Sequence, residues 1–123
     1  MHENIKKTLV IGASDNPERY ANKAIRLLTT KGHPVIAIGN RESRVNDVHI
    51  TKSHLQYDDI HTVTLYINPK IQREYYDYII SLKPIRIIFN PGTENQEFYN
   101  IAKDNGIIPE EACTLVLLNL NQY

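Results

Sequence analysis

The chain has 123 residues, and its 14 basic and 14 acidic side chains give a formal net charge of zero at pH 7. This length suits one domain and is too short for two ordinary ones. The charge balance excludes the basic field that nucleic acid or an anionic membrane attracts, and the single cysteine, Cys113, excludes an intrachain disulfide.

Neither a leader nor a membrane anchor is predicted. The opening stretch, MHENIKK, lacks the apolar core of a signal peptide. No apolar run approaches the length of a membrane span, about 18 residues. We therefore expect a soluble cytoplasmic protein, with a polar lead-in over residues 1–6 and one domain over residues 1–123.

The first predicted unit is a strand, a turn of small residues and a helix. Residues 7–11 are predicted to form the first strand, because Leu9, Val10 and Ile11 make a short apolar run typical of a strand buried on both faces. A turn from Gly12 to Ser14 follows, and a bulky side chain there would block a ligand that approaches closely. Pro17 suits the first turn of a helix over residues 17–31, because its missing N–H costs nothing there.

The second and third main strands are separated by a polar segment. Residues 34–38 form an apolar run between two glycines, which predicts the second strand. Residues 39–53 are polar and irregular, with a small extra strand expected at residues 48–50. Residues 61–67 are rich in β-branched side chains and are predicted to form the third main strand.

A second helix is predicted after the third main strand. Asn68 suits the N-cap and Pro69 the first helical position. Pro84 prevents the helix from continuing. A fourth strand is expected at residues 85–89, followed by a turn at residues 90–92.

The last third of the chain repeats this alternation. Thr93, with Gln96 three residues later, predicts a capping box for the next helix. Residues 107–109 are expected to form a short fifth strand that Pro109 closes. The apolar residues of 111–120 fit either a strand or a helix; we favour a final helix, because Glu110 and Glu111 suit a helix N-terminus.

The alternation of strands and helices predicts an α/β fold with a Rossmann-like, doubly wound parallel sheet of about five strands and helices on both faces. Right-handed crossovers lead us to expect the strand order 3-2-1-4-5. The ligand then belongs above the carboxyl ends of the first and fourth strands. The turns at residues 12–16, 68–69 and 90–93 are expected to converge there.

The predicted turn differs from the dinucleotide fingerprint G-x-G-x-x-G. Ser14 and Pro17 replace its second and third glycines, and the residues after the second strand, Asn40 and Arg41, provide no acid for a ribose. These differences count against NAD, whereas Arg41 suits an additional phosphate. The Walker A pattern G-x-x-x-x-G-K-[ST] does not occur, which counts against an ATPase.

The stretch VIGASDNPER, residues 10–19, resembles the opening of the small coenzyme A-binding proteins. These are stand-alone relatives of the N-terminal domain of the succinyl-CoA synthetase alpha subunit. Asn68-Pro69, the turn at residues 90–92 and Cys113 match later landmarks of that family in order. The resemblance implies a Rossmann-like domain that binds coenzyme A or an acyl-CoA, with the phosphates at the Gly12–Ser14 turn.

The candidate cofactor-binding residues follow the predicted strands or begin the helices after them, where backbone amides and cations meet phosphates. They are Gly12, Ala13, Ser14, Arg19, Lys23, Asn40, Arg41, Arg44, Asn68, Pro69, Asn90 and Gly92. No metal site is predicted, because the five histidines are scattered.

Three functional classes stay open. The first is a non-catalytic module that binds a nucleotide, coenzyme A or an acyl-CoA; the sequence offers no paired carboxylates and no nucleophile with its base. The second is an NAD(P)-binding domain of the oxidoreductase type. The third is a regulatory or interaction protein whose ligand site is degenerate. A homodimer or an unknown protein partner also stays open, with Tyr76 as a candidate for an outward-facing contact.

Overall fold

The computed structural model describes residues 4–123; the first half of the predicted polar lead-in, residues 1–3, lies outside them. The described chain contains seven strands and five α-helices. They are β1 Thr8–Ala13, α1 Tyr20–Thr30, β2 Val35–Gly39, β3 Ser43–Val45, β4 Val48–Thr51, β5 Thr62–Leu65, α2 Pro69–Gln72, α3 Tyr76–Leu82, β6 Arg86–Phe89, α4 Gln96–Asp104, β7 Ile108–Glu111 and α5 Thr114–Asn119.

Strand β1 lies at the centre of the sheet and is covered on both faces. Leu9 and Ile11 are fully buried in one core, with residues of α3 and α4. Val10 points the other way, because side chains alternate along a strand, and it is buried with residues of α1 and α5. The predicted α/β fold with helices on both faces of a mainly parallel sheet is confirmed.

The predicted strand order is wrong at one position. The sheet has the order β3-β4-β2-β1-β5-β6-β7 and is parallel except for the β3–β4 pair. The third main strand, β5, therefore pairs with β1 on the side opposite β2. The physical reason is the β3–β4 hairpin, which extends the sheet beyond β2 through the pairing of Ala37 with Ile50. A small strand at residues 48–50 was predicted. Its position beside β2, where the third main strand was expected, was not predicted.

This order moves the switch point of the sheet. The chain leaves β1 for β2 on one side and later returns to β5 on the other, so the crevice opens above the carboxyl ends of β1, β2 and β5. Ligands of open α/β sheets bind at such a point. The site predicted above the first and fourth strands is thus displaced by one strand.

Several predicted boundaries are also corrected. Helix α1 begins at Tyr20 rather than Pro17, because the Ser14 and Asn16 side chains accept hydrogen bonds from the backbone two residues on and fold this segment into turns. The cap of α4 is Asn95, which accepts from the Phe98 amide; Thr93 instead donates to the Asn90 carbonyl.

The final elements differ in length from the prediction. Strand β7 runs through Pro109 to Glu111, so the proline does not close it. A proline is tolerated there because β7 is an edge strand. Helix α5 is accordingly shorter than the predicted helix over residues 111–120.

The amino ends of the central strands carry a partly buried cationic cluster. Arg86, 9% exposed, donates to Thr62 Oγ1 at 3.0 Å and to the Tyr123 main-chain oxygen at 2.9 Å. The Lys6 amide donates to His33 Nδ1 at 2.9 Å, which requires this nitrogen to be unprotonated. Burial, and after it the nearby cations Lys6 and Arg86, lowers the pKa of His33 and of His61.

We expect the free energy of unfolding to fall as the pH is lowered from 7.5 to 5.5. Below a pH of about 6.5 the histidines of the unfolded chain bind protons that His33 and His61 resist in the folded protein, so stability is lost as the pH falls. Urea denaturation at both pH values measures this. A double His33→Gln/His61→Gln variant should lose most of the dependence and the exposed control His49→Gln should keep it; an unchanged or rising stability in the wild type would contradict the account.

Candidate ligand-binding cleft

A cleft of about 650 Å³ opens at the switch point of the sheet. Its walls are the turns that follow β1, β2, β5 and β6, together with the start of α1. The volume lies within the range of small-molecule sites, about 300–1,000 Å³. The predicted convergence of the turns after the first, third and fourth main strands is therefore observed, and the turn after β2 joins them.

Two glycines bring these turns together. Gly12 has φ +92°, and a Cβ there would lie 2.8 Å from the Tyr66 carbonyl oxygen. A Cβ at Gly39 would meet the Ala13 carbonyl oxygen. The expectation that a side chain at Gly12 would occupy the ligand position is thus corrected, because it would collide with the backbone after β5. Gly12 is required by the close approach of β1 and β5.

The turn after β1 is held in place by a side chain of α1. Asn22, 3% exposed, donates to the Ser14 carbonyl at 3.0 Å and accepts from Arg26 Nε at 2.8 Å. Arg26 Nη2 in turn donates to the Pro17 carbonyl at 3.2 Å. Asn22 was not among the predicted site residues. Its only signal in the sequence is that a polar residue lies beside the apolar face of α1.

The N-terminus of α1 faces this turn without a cap. Arg19 occupies the N-cap position and makes no side-chain hydrogen bond to the helix, and the first turn holds no acidic residue. In α2, by contrast, Asn68 Oδ1 accepts from the Ile71 amide at 2.9 Å. The first amides of a helix lack intrahelical partners and lie at the positive end of its dipole. The start of α1 is therefore suited to an anion.

Charged side chains lie on one side of the cleft. Arg19 and Arg41 are the basic residues that line it, and Asp15 is the acidic one. Arg41 Nη2 lies 2.8 Å from Asp15 Oδ1 and 2.9 Å from Oδ2, and the side chain of Arg41 is 72% exposed. The formal charge of the lining is thus one positive unit.

The opposite wall is tied together by one buried amide. Gln72, fully buried, donates from Nε2 to the Ile67 carbonyl at 2.9 Å and to the Thr93 carbonyl at 2.8 Å. Its Oε1 accepts from Asn95 Nδ2 at 2.9 Å. Gln72 thereby joins the turn after β5 to the turn after β6, and it was not foreseen from the sequence.

The floor and the outer rim of the cleft include aromatic side chains. The Tyr66 hydroxyl is buried without a hydrogen-bond partner among residues 4–123, and burial raises the pKa of this phenol above its usual range. Tyr20 is 69% exposed at the start of α1. Ile71 and Tyr75 contribute apolar surface on the opposite wall.

The structure divides the predicted site residues into two groups. Those that line the cleft are Gly12, Ala13, Ser14, Arg19, Asn40, Arg41, Asn68 and Gly92. Those outside its lining are Lys23, Arg44, Pro69 and Asn90. The sequence could not make this division, because it depends on which way each side chain leaves its element.

The residues outside the lining have other contacts. Lys23 Nζ lies 5.4 Å from the centre of the Tyr20 ring, and Arg44 Nε donates to the Asn46 carbonyl in the turn between β3 and β4. Pro69 begins α2. Asn90, 2% exposed, donates to Thr64 Oγ1 and the Leu65 carbonyl and accepts from the Thr114 amide, so its side chain joins β6 to β5 and α5.

Tyr76, the candidate for an outward-facing contact, is partly buried. Its ring stacks on Phe98 with 4.4 Å between the ring centres, and its hydroxyl donates to Glu97 and accepts from Asn95.

Among residues 4–123 no three His, Cys, Asp or Glu side chains are grouped so that they could hold a metal ion. No helix in that part of the chain has the length and apolar character needed to cross a membrane.

We predict that Gln72→Leu destabilises the fold. The variant would leave the Ile67 and Thr93 carbonyls without their donor, and a buried group without a partner costs about 1–3 kcal/mol. Urea denaturation measures the difference. The matched control is Gln96→Leu, because Gln96 is exposed and bonds only Asn100. Equal losses in the free energy of unfolding for Gln72→Leu and Gln96→Leu would show that the Gln72 contacts do not hold the cleft walls.

Comparison with known proteins agrees with this architecture. The model of a family described as the CoA binding domain matches residues 6–119. The chain is 44% identical to an uncharacterized protein of known crystal structure, with 98% of this chain and 100% of that chain covered and a TM-score of 0.95. No curated protein matches the chain significantly in sequence.

Two further solved structures are similar. A hypothetical protein from Pyrococcus horikoshii is 29% identical, with 92% of this chain and 81% of that chain covered and a TM-score of 0.83. A protein from Thermus thermophilus is 20% identical over 96% of this chain and 91% of that chain, with a TM-score of 0.82, and shows the shared fold alone. From the match over residues 6–119, the chain belongs to the CoA binding domain family.

Proposed function

We propose that the protein binds coenzyme A or an acyl-CoA in this cleft, in the cytoplasm, and catalyses no reaction on it. The observation that carries the proposal is the uncapped N-terminus of α1, which faces a preformed turn at the switch point of the sheet. Membership in the CoA binding domain family supports the choice of ligand. When bound, coenzyme A supplies a thiol that carries acyl groups as thioesters.

The lining of the cleft fits such a ligand. The turn at residues 12–16 and the first amides of α1 would hold the diphosphate, since a helix N-terminus favours phosphate. Arg19 would add a positive charge there. Asn40 and Arg41, which follow β2, would face the ribose and its 3′-phosphate. The apolar side chains of Ile71 and Tyr75 would pack along the uncharged pantetheine arm.

The same lining is unfavourable for a nicotinamide nucleotide. In dinucleotide-binding folds an acidic residue after the second strand accepts hydrogen bonds from the ribose. Here that segment carries Asn40 and Arg41, and Arg41 is a donor only. The part of the lining that follows β2 therefore lacks the carboxylate that would select an unphosphorylated ribose.

The chemistry of the lining supports binding without catalysis. Among residues 4–123, neither a histidine nor a cysteine lines the cleft, and its single carboxylate, Asp15, is paired with Arg41. Cys113 precedes α5, outside the lining. A general base needs hydrogen-bond reach to the proton that it abstracts, and a nucleophile needs a neighbouring base. The lining provides neither arrangement.

The ligand class is tested by thermal denaturation with coenzyme A and with NAD at equal concentration. Coenzyme A at 100 times its dissociation constant should stabilise the fold by about 2.7 kcal/mol and raise the melting temperature. NAD should raise the melting temperature much less, because the cleft lining that follows β2 offers its ribose no carboxylate. Equal shifts with both nucleotides, or no shift with either, would overturn the proposed function.

The role of Arg41 is tested with dephospho-coenzyme A, which lacks the 3′-phosphate. We expect it to bind more weakly than coenzyme A by roughly 1–3 kcal/mol, the range of a hydrogen bond to a charged group. Arg41→Ala should narrow this gap in an isothermal titration at one fixed salt concentration. Arg44→Ala is the matched control, since Arg44 lies outside the lining and should leave the gap unchanged. An equal effect of both substitutions would exclude a specific contact by Arg41.

A further inference from the structure

An acidic side chain stands in the turn where the proposed function puts phosphates. Asp15 directly follows Ser14 and is the single carboxylate among the cleft-lining residues of the described chain. A carboxylate beside a ligand of several negative charges opposes binding through like-charge repulsion. Its presence in an anion site therefore calls for a physical role.

The position of Asp15 supplies that role. Both of its oxygens lie within 2.9 Å of one nitrogen, Arg41 Nη2, so the pair joins the turn after β1 to the neighbouring turn after β2 on one side of the cleft. Within residues 4–123 the Arg41 side chain donates no other hydrogen bond. The guanidinium is thus held by Asp15 alone.

We propose that Asp15 is an internal competitor for Arg41, which takes the place of a ligand phosphate until a stronger anion displaces it. This inference rests on the proposed function. The side chains of Arg41 and Asp15 are 72% and 34% exposed, and ion pairs this open to solvent are weak. A phosphomonoester carries close to two negative charges at pH 7, so it attracts the guanidinium more strongly than a carboxylate does.

The competition favours one chemical class of ligand. A phosphodiester, with a single negative charge, has no advantage over Asp15 and leaves the pair closed. A terminal phosphomonoester, such as the 3′-phosphate of coenzyme A, opens it. Asp15 then sets the threshold of charge at which Arg41 is released, and so contributes to the selection of ligands with a phosphomonoester.

The test is an isothermal titration of wild type, Asp15→Asn and the control Glu18→Gln with coenzyme A and with dephospho-coenzyme A at one low salt concentration. Asp15→Asn should increase the affinity for coenzyme A by about twofold to fivefold, the factor that an exposed ion pair provides. The affinity for dephospho-coenzyme A should increase less. Glu18→Gln removes the same charge from the neighbouring turn, outside the lining, and should change neither affinity by a comparable factor.

Each other outcome contradicts the inference in a different way. Weaker or unchanged coenzyme A binding by Asp15→Asn would mean that Asp15 orients Arg41 or has no role. Equal tightening of both ligands would mean general repulsion rather than competition for Arg41. In an Arg41→Ala background, Asp15→Asn should change the affinities for coenzyme A and dephospho-coenzyme A by the same factor. A remaining difference between the two factors would also overturn the inference. Absence of coenzyme A binding in the wild type would contradict the proposed function itself, and the inference with it.

Discussion

The close approach of β1 and β5 at Gly12 is the constraint on which the cleft depends. There is no room for a side chain at this position, since a Cβ would lie 2.8 Å from the Tyr66 carbonyl oxygen. The amide of Tyr66 also donates to the Ile11 carbonyl at 2.9 Å, so the two strands stay paired up to the point where the chain turns. The turn after β1 is therefore fixed at the switch point, with the start of α1 directly behind it.

Three buried polar side chains hold the walls of the cleft in place. Asn22 fixes the turn after β1, Gln72 joins the turns after β5 and β6, and Asn90 links β6 to β5 and α5. All three are at most 3% exposed. A buried amide with its partners in place stabilises one arrangement, because every alternative leaves donors or acceptors unpaired. The side chains that would meet the ligand stand on this rigid frame and are themselves mostly exposed.

The sequence predicted the fold class and the general place of the cleft, because both depend on local patterns. The apolar run of β1, the small residues after it and the alternation of strands with helices identify a doubly wound sheet. The strand order was not predictable in the same way. It depends on the pairing of Ala37 with Ile50, two residues far apart in the chain, and residues 39–53 carry no pattern strong enough to indicate it.

The contacts within the cleft illustrate the same limit. Asp15 and Arg41 are 26 residues apart, and neither has a local feature that predicts their ion pair. Arg41 and Arg44 were equivalent in the sequence, but the hairpin of β3 and β4 directs Arg44 to the Asn46 carbonyl. Asn90 looked like a rim residue, whereas burial makes it part of the framework. Such distinctions require the tertiary structure, because they depend on side-chain direction.

The central claim is that coenzyme A binds at the switch point of the sheet. Its most direct test is a titration of ¹⁵N-labelled protein with coenzyme A, followed by the chemical shifts of the backbone amides. The account predicts that the largest changes occur in the turn at residues 12–16, the first turn of α1 and the segment that follows β2. Little change is expected around Arg86, at the amino ends of the strands. Chemical-shift changes concentrated at these amino ends, or no changes at saturating ligand, would contradict the account.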